Sequence, residues 1–204
     1  MPRLAVFIDG FNIYHSIDED PTLRPAKWLN YATFASQFLQ SSKDTLDHVL
    51  WFTSYAFWDP QKETRHKSLV KANLEKGVRV VFGKFKIQQR QCRLCHRMVD
   101  SPVEKMTDIN IAASLFELAC HDAYDKALII SGDSDLVPAI ETVRSCYPKK
   151  SVGVAFPLGR FSVELQRVAS FSLWIKRKHR LRAQLEDQLT LADGSTVTRP
   201  LSWK

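Results

Sequence analysis

Residues 4–10, LAVFIDG, join a continuous apolar run to an acidic residue and a glycine. A run without polar alternation is typical of a strand buried on both faces, so Asp9 is expected at the carboxyl end of that strand. Residues 127–130 repeat the pattern and lead into a short polar segment that contains Asp133 and Asp135. In open α/β sheets, ligand crevices form outside the carboxyl ends of the strands. The three aspartates are therefore expected at one edge of a sheet.

Strand and helix patterns alternate along most of the chain. This alternation requires right-handed crossovers and predicts a mostly parallel sheet with helices on both faces, a three-layer α/β/α sandwich. A break between a helix and a strand is expected at residues 41–44. The predicted strands are residues 4–8, 48–55, 78–85, 127–130, 152–156 and 172–175, and the predicted helices are residues 12–17, 31–39, 61–76, 104–121, 138–146 and 161–169.

A fourth carboxylate, Asp108, is expected in the first turn of a helix, because the apolar residues that follow it have helical spacing. Carboxylates gathered at one sheet edge repel each other, which raises their proton affinity unless a hard cation neutralises them. Mg²⁺ and Mn²⁺ suit that role and bridge readily to phosphate, so the cluster favours phosphoester chemistry. The simpler alternatives are a helix-dipole or capping role for Asp108 and a turn with a cap at Asp133 and Asp135.

Three segments occur together in this order: FIDGFN at residues 7–12, EKMTDIN at residues 104–110 and SGDSDLVPAI at residues 131–140. In combination they closely resemble the NYN domain, the PIN-like nuclease group that includes LabA-like proteins. The resemblance covers about residues 3–175. It implies a PIN-like domain at residues 1–175 with a cysteine-containing insertion at about residues 88–103, followed by a basic C-terminal extension at residues 176–204.

The resemblance also implies an activity, because the family's acidic residues hold one or two divalent ions and cut RNA by metal-activated water. The matching positions, expected to be catalytic residues and ligands of Mg²⁺ or Mn²⁺, are Asp9, Asp108, Asp133 and Asp135. Asn12 matches the family's asparagine after the first acid and is expected to orient a ligand or a water. The side chains expected to meet phosphate are Lys105, Thr107, Ser131 and Ser134. From the residues alone, turn, cap or solvated roles stay open for these polar side chains.

The leading function is thus a divalent-metal-dependent endoribonuclease acting on single-stranded or locally unpaired RNA. One alternative is a catalytically weak RNA-binding or regulatory module in which the acids bind an ion with little turnover. Another is a phosphatase of the haloacid dehalogenase kind, because Asp9 follows a strand and a GDSD segment comes later. That family expects a second acid two residues after its nucleophile, where this chain has Phe11.

Cys92, Cys95 and His96 form a C-x-x-C-H segment in the predicted insertion. This is formally a c-type haem attachment pattern, but that chemistry follows export, and no signal peptide is expected here. Structural Zn²⁺ needs four ligands, so His96, another histidine or a second subunit of a homodimer would have to complete the pair. Ordinary surface cysteines are the simpler interpretation. Nearby Arg90, Arg93 and Arg97 suit a phosphate backbone or an exposed, solvated loop.

The formal net charge of +7 is consistent with a polyanionic partner, although basic charge also serves solubility. The basic run at residues 176–182 could guide RNA or simply be solvated, and the tail is expected to continue as a helix to Leu189 and a hairpin turning at Asp193 and Gly194. The absence of a membrane-spanning apolar run predicts a cytoplasmic protein without a membrane partner. A group of aromatic residues, expected mainly in the core but able to stack on unpaired bases, comprises Trp51, Phe52, Tyr55, Phe57 and Trp58.

Overall fold

The computed structural model describes residues 1–39 and 44–204. The strands are β1 (Arg3–Asp9), β2 (Thr45–Thr53), β3 (Arg79–Phe82), β4 (Lys84–Gln91), β5 (Met98–Lys105), β6 (Lys126–Ile130), β7 (Ser151–Phe156), β8 (Phe171–Trp174), β9 (Gln188–Thr190) and β10 (Thr196–Thr198). The α-helices are α1 (Gly10–Asp18), α2 (Tyr31–Ser36), α3 (Pro60–Glu75), α4 (Thr107–Cys120), α5 (Val137–Cys146), α6 (Val163–Val168) and α7 (Arg177–Leu181). Most of the predicted elements are therefore present within a few residues of the expected bounds. The break expected at residues 41–44 lies outside the described residues, apart from Asp44.

Six of the strands form one parallel sheet in the order β3-β2-β1-β6-β7-β8. Strands β1 to β3 are added in one direction across the sheet, and strands β6 to β8 are added in the opposite direction. The order of the strands therefore reverses between β1 and β6, although all six strands are parallel. Ile8 of β1 pairs with Ile130 of β6. Asp9 and Ser131, the next residues of the two strands, therefore leave the sheet side by side. This reversal is the topological switch point at which α/β sheets bind ligands.

Two hydrophobic clusters fill the space on the two faces of the sheet. Alternate residues of β1 point to opposite sides, with Val6 and Ile8 in the cluster beneath α1, α2 and α3, and Ala5 and Phe7 in the cluster beneath α4, α5 and α6. A strand covered on both faces needs apolar residues at every position, which explains the unbroken apolar run. The three-layer α/β/α sandwich is thus confirmed.

The segment between β3 and α4 differs from the prediction. The single strand expected at residues 78–85 is divided at Gly83, and β4 and β5 form an antiparallel hairpin that pairs Lys84 with Lys105 at its root and Gln91 with Met98 near its tip. An added Cβ at Gly83 would lie 2.8 Å from the Lys105 carbonyl oxygen, so this close approach requires glycine. The prediction of helix at residues 104 and 105 was wrong, because cross-strand pairing extends β5 to Lys105.

The C-terminal residues 176–204 pack on the face that carries α1 to α3. The hairpin predicted around Gly194 is confirmed as β9 and β10, but the prediction of helix up to Leu189 was wrong. Helix α7 ends at Leu181 and is followed by a turn and a bend, and the buried side chains of Ala183 and Leu185 join the core. The Leu185 amide donates to the Trp28 carbonyl at 3.0 Å. None of the described helices has both the length and the apolar character needed to cross a membrane.

Candidate active site

Asp9 lies at the junction of β1 and α1 and is only 2% exposed. Its Oδ1 atom accepts hydrogen bonds from the backbone amides of Phe11 (3.1 Å) and Asn12 (3.0 Å), so it caps the start of α1. Its Oδ2 atom accepts from Asn12 Nδ2 at 2.6 Å and from the Ser131 hydroxyl at 2.9 Å. All the usual acceptor positions of this carboxylate are thus occupied by protein donors.

Asn12 and Ser131 connect Asp9 to the loop that follows β6. Asn12 Oδ1 accepts from the Gly132 amide at 3.1 Å, and the Ser131 hydroxyl oxygen accepts from the Asp133 amide at 3.0 Å. Ser131 is fully buried. Both side chains therefore fix the loop after β6 relative to the junction of β1 and α1, where Asp9 lies. Their polar atoms are engaged in hydrogen bonds within the protein.

The loop after β6 presents Asp133, Ser134 and Asp135 in a short 3₁₀ helix that leads into α5. Asp133 accepts from the Asp135 amide at 3.1 Å and caps this turn, so the capping role considered for it is real. Asp133 and Ser134 are partly buried, and Asp135 is exposed. Capping engages one oxygen of Asp133 and leaves the acidic pair open to solvent at the switch point.

Asp108 reaches the same region from the start of α4. Met106, the residue between β5 and α4, has a left-handed backbone with φ of 83° and turns the chain sharply into the helix. Thr107 is buried, and its hydroxyl donates to Glu104 Oε1 at 2.6 Å, so this hydroxyl holds Glu104 rather than facing solvent. Asp108 follows in the first helical turn and is partly exposed.

The acidic side chains lie close enough to influence one another's pKa. Burial, followed by the negative charges of Asp133, Asp9, Glu104 and Asp135, raises the pKa of Asp108 to about 6. Burial also raises the pKa of Asp9, and the charge of Asp133 adds to this effect, while hydrogen bonds from Asn12 and Ser131 oppose it. Residues separated by more than a hundred positions in sequence thus share one negative field.

Glu104 is a fifth carboxylate of this site that the sequence prediction missed. It lies on β5 directly opposite Phe85, and its charge contributes to the raised pKa of Asp108. Its Oε1 atom also accepts from the Ser54 hydroxyl at 3.4 Å, a long contact. Glu104 stands at the start of EKMTDIN, but the expectation of a helix there hid its direction. The information that was missing is the pairing of β5 with β4, which puts Glu104 on a strand opposite Phe85 and not in a helix.

Comparison with known proteins identifies the fold family. The model of the NYN domain matches residues 3–175. The chain belongs to the NYN domain family. A crystal structure of a protein of unknown function, VPA0982 from Vibrio parahaemolyticus RIMD 2210633, is similar with a TM-score of 0.57 and 20% identity over 86% of this chain and 94% of that chain. At that identity the likeness shows the fold alone. No curated protein matches the sequence.

The NYN family is generally nuclease-like, which makes the cation-binding capacity of these acids the relevant chemical question. Within residues 1–39 and 44–204, no three His, Cys, Asp or Glu side chains are grouped as a ready-made metal site. The all-oxygen donor set still fits Mg²⁺ or Mn²⁺, because Mg²⁺ keeps several waters and needs only one or two carboxylates together with phosphate. Direct ligation by Asp9 would require one of its four hydrogen-bond donors to move.

Lys105 lines an open groove beside the acids of this NYN domain. The groove has a volume of about 650 Å³ and runs along α4 and α5. Its lining includes Asp108, Asp135, Lys105, Ile109 and Phe116. Lys105 is exposed and is the one predicted phosphate-binding side chain that combines a positive charge with a place beside two of the acids.

Cys92 and Cys95 lie apart from the acidic residues, at the turn between β4 and β5. The Cys92 amide donates to the Arg97 carbonyl at 2.8 Å, and the His96 amide donates to the Cys92 carbonyl at 2.9 Å, which closes a tight turn. Both cysteines are free thiols, with Cys95 exposed. The described residues offer no third ligand beside them. Structural Zn²⁺ and a homodimer that completes its site stay predictions.

Proposed function

We propose that this NYN protein is a cytoplasmic, divalent-metal-dependent endoribonuclease that hydrolyses single-stranded or locally unpaired RNA. The observation that carries the proposal is the cluster of acidic side chains at the switch point, where burial, followed by the negative charges of the neighbouring carboxylates, raises the pKa of Asp108 to about 6. A protein that only folded would gain nothing from crowding carboxylates in this way, because their repulsion costs stability. A hard cation and a phosphodiester relieve that cost, and perturbed carboxylates in a cleft are typical of functional sites.

The proposed role of each side chain follows from its exposure to solvent. A bound divalent cation supplies charge neutralisation and Lewis acidity at a phosphoryl oxygen. Asp9 is buried and fixed by four hydrogen bonds, so it sets the local negative potential and aligns the two loops. The carboxylate oxygens most accessible to a cation belong to three partly or fully exposed residues, Asp108, Asp133 and Asp135. Lys105 places a positive charge beside them for a substrate phosphate.

A pKa of about 6 gives Asp108 a further capacity, because a carboxyl group with that pKa exchanges protons near neutral pH. In the metal-free protein it is mainly ionised at pH 7. Asp108 is therefore suited either to hold a cation or to accept a proton from an attacking water. Both roles require its negative charge, so replacement by asparagine tests them together.

A second candidate, a weakly catalytic RNA-binding module, is favoured by two specific observations. The acceptor positions of Asp9 are saturated by protein donors, and the described residues contain no ready-made three-ligand metal site. An RNA-binding protein would need only the basic surface and a loosely held ion. The two functions differ in whether the acids support turnover.

Cleavage of a labelled single-stranded RNA with Mn²⁺ separates these functions. The variants are Asp108→Asn and, as a matched control, Asp47→Asn, because Asp47 is exposed on the amino-terminal half of β2, away from the carboxyl ends of the strands. We expect cleavage by the native chain and by Asp47→Asn, and at least a hundredfold loss in Asp108→Asn, on the scale of removing a catalytic acid or base. Equal cleavage by all three proteins would remove the acids from the mechanism. RNA binding without metal-dependent cleavage by the native chain would leave the second candidate.

A further inference from the structure

Four aromatic side chains form a continuous surface cluster beside the acidic residues. This aromatic patch consists of Phe11, Phe57, Trp58 and Phe85. The ring centroids of Phe11 and Phe85 are 5.4 Å apart, those of Trp58 and Phe85 are 4.5 Å apart, and those of Phe57 and Trp58 are 5.4 Å apart. All three pairs meet edge to face, so the rings present their faces in different directions instead of stacking closed on one another.

The aromatic patch is distinct from the hydrophobic core. None of its four residues belongs to either core cluster of the described residues or to the side chains packed against those clusters. Phe57 is 53% exposed and Trp58 is 39% exposed, whereas Trp51 and Phe52 of β2 are buried. The aromatic sequence at residues 51–58 therefore divides into a core part on the strand and a surface part after it. A contiguous apolar patch that reaches the surface is typical of an interaction site.

The position of the patch links it to the acids on two sides. The Phe11 amide donates to Asp9 Oδ1 at 3.1 Å, so Phe11 stands directly next to the buried acid of the switch point. Phe85 lies opposite Glu104 on the β4–β5 hairpin, and Glu104 contributes to the field at Asp108. A strand whose phosphate lies at the acids would bring its neighbouring bases within reach of these rings.

The charge of the hairpin complements such a strand. Residues 84–105 contain six lysines and arginines against two carboxylates. Strand alternation places Lys84, Lys86 and Arg90 on the hairpin face opposite Phe85, and Lys105 joins them as the partner of Lys84. These four side chains are exposed. The hairpin thus has an exposed positive face that attracts a phosphate backbone and an aromatic ring at the root of its other face.

We propose that the aromatic patch is a base-stacking subsite that receives an unpaired RNA base next to the phosphate held at the acids. The choice of RNA as ligand rests on the proposed function, while stacking itself needs neither a metal nor turnover. Trp58 is the central ring, because it contacts both Phe57 and Phe85 and has part of its surface open to solvent. Such stacking favours single strands over duplexes without reading a particular sequence.

The test measures binding in EDTA, where no divalent cation supports cleavage. The probes are a fluorescein-labelled ten-residue oligouridylate and the same sugar-phosphate chain with abasic residues, and fluorescence anisotropy gives Kd. The variant is Trp58→Leu, which keeps apolar surface and removes the aromatic face. Its matched control is Trp174→Leu, because Trp174 is 53% exposed and lies on the edge strand β8, which β6 and β7 separate from β1. There it contacts another aromatic ring, that of Phe161. Phe85→Leu is a second variant that probes the same patch.

We expect Trp58→Leu and Phe85→Leu to bind the oligouridylate about tenfold more weakly than the native chain, the scale of losing one stacked base. Trp174→Leu should bind like the native chain, and the abasic chain should bind all four proteins equally. The inference is overturned if Trp58→Leu keeps full affinity, if Trp174→Leu loses as much, or if the abasic chain shows the same loss. It is also overturned if the native chain does not prefer the oligouridylate to the abasic chain. Trp58-dependent binding in a protein that never cleaves RNA would sink the nuclease proposal alone.

Discussion

Replacement of Asp108 by asparagine should make the metal-free protein more stable, although it removes a residue of the proposed active site. In the native protein, burial and the four neighbouring carboxylates raise the pKa of Asp108 from 3.8 to about 6. Its ionised form is therefore disfavoured in the folded protein relative to the unfolded chain. Asparagine keeps the shape of the side chain and removes the charge, so it relieves that cost.

The size and sign of the effect follow from the shift in pKa. A difference of about two pKa units corresponds to a ceiling of about 3 kcal/mol at pH 7. Because the side chain is partly exposed and screened by solvent, roughly 1–2 kcal/mol is the realistic gain. The folded pKa is raised, so the penalty is absent below about pH 4, grows as the pH rises towards 6 and is complete above that value. The gain should therefore shrink to about half at pH 5.

Urea unfolding of the native chain and of Asp108→Asn, compared at each pH from 5 to 7.5 in EDTA and low salt, measures this gain. Comparison at equal pH cancels the titration of groups that do not interact with Asp108, so the measured gain includes the relief of the carboxylates around it. Addition of Mn²⁺ should stabilise the native chain and leave Asp108→Asn less affected, because a ligand stabilises only the state that binds it. An asparagine variant that is no more stable than the native chain in EDTA at pH 7.5 would show that these carboxylates are not crowded. An equal response of both proteins to Mn²⁺ would exclude Asp108 from the cation site.

Substitutions at three further positions test other parts of the structure. Gly10→Ala should destabilise the protein by roughly 2 kcal/mol or more and reduce RNA cleavage, because an added Cβ would lie 2.5 Å from the Phe52 carbonyl oxygen in a packed interior; chemical unfolding and the cleavage assay check both effects, and native-like stability would contradict the close approach. Arg180 is buried, and its Nε and Nη2 atoms lack partners among the described residues. Arg180→Met, which fills the same space without a buried charge, should change the free energy of unfolding by less than about 1 kcal/mol, while Arg180→Ala, which leaves a cavity, should lower it by about 2–4 kcal/mol. An equal loss in both variants would contradict this. Burial lowers the pKa of His66 to about 4, so the folded ring stays neutral while the unfolded chain protonates below pH 6.5, and the His66 contribution to stability should fall by roughly 1–2 kcal/mol between pH 7 and 5. Urea unfolding of the native chain and of His66→Phe at both pH values measures that contribution as the difference between their pH dependences, and equal pH dependences would contradict it.

The carboxyl-end position of Asp9 and of the acidic pair could be predicted because buried parallel strands have a strong local signature. The runs at residues 4–8 and 127–130 are apolar at every position, and both core clusters take side chains from them. Strand order was not encoded in the same local way. The adjacency of β1 and β6, which puts Asp9 beside Ser131, follows from packing across the whole sheet.

The hairpin and the tail show why other features escaped prediction. Only residues 84–88, KFKIQ, alternate polar and apolar side chains, and residues 88–91 are all polar and exposed, so the amphipathic signal of β4 is short. Its order comes from pairing with β5, a contact that local propensity does not report. In the tail, Arg180 belongs to a basic run that resembles a solvated helix, but its guanidinium is buried and donates to Ser16. Tertiary contacts decided both cases.

The roles of the polar residues around Asp9 illustrate a further limit of motif matching. Ser131 and Thr107 occupy positions where a hydroxyl near phosphate was expected, yet both are buried and donate to carboxylates. A segment of sequence specifies which residues come near the site, but the burial of a side chain decides whether it can meet a substrate. Lys105 is exposed and keeps its predicted role open.

The connection from β5 to α4 ties the hairpin to the acids mechanically. Only Met106 separates Lys105, the last residue of β5, from Thr107, the first residue of α4, and its left-handed backbone is unusual for a side chain of this size. The root of the hairpin therefore cannot shift without moving the first turn of α4, in which Asp108 lies. The Thr107 hydroxyl, which donates to Glu104 Oε1 at 2.6 Å, adds a second link between β5 and the first turn of α4. The position of Asp108 therefore depends on the pairing of β4 with β5 as well as on the packing of α4.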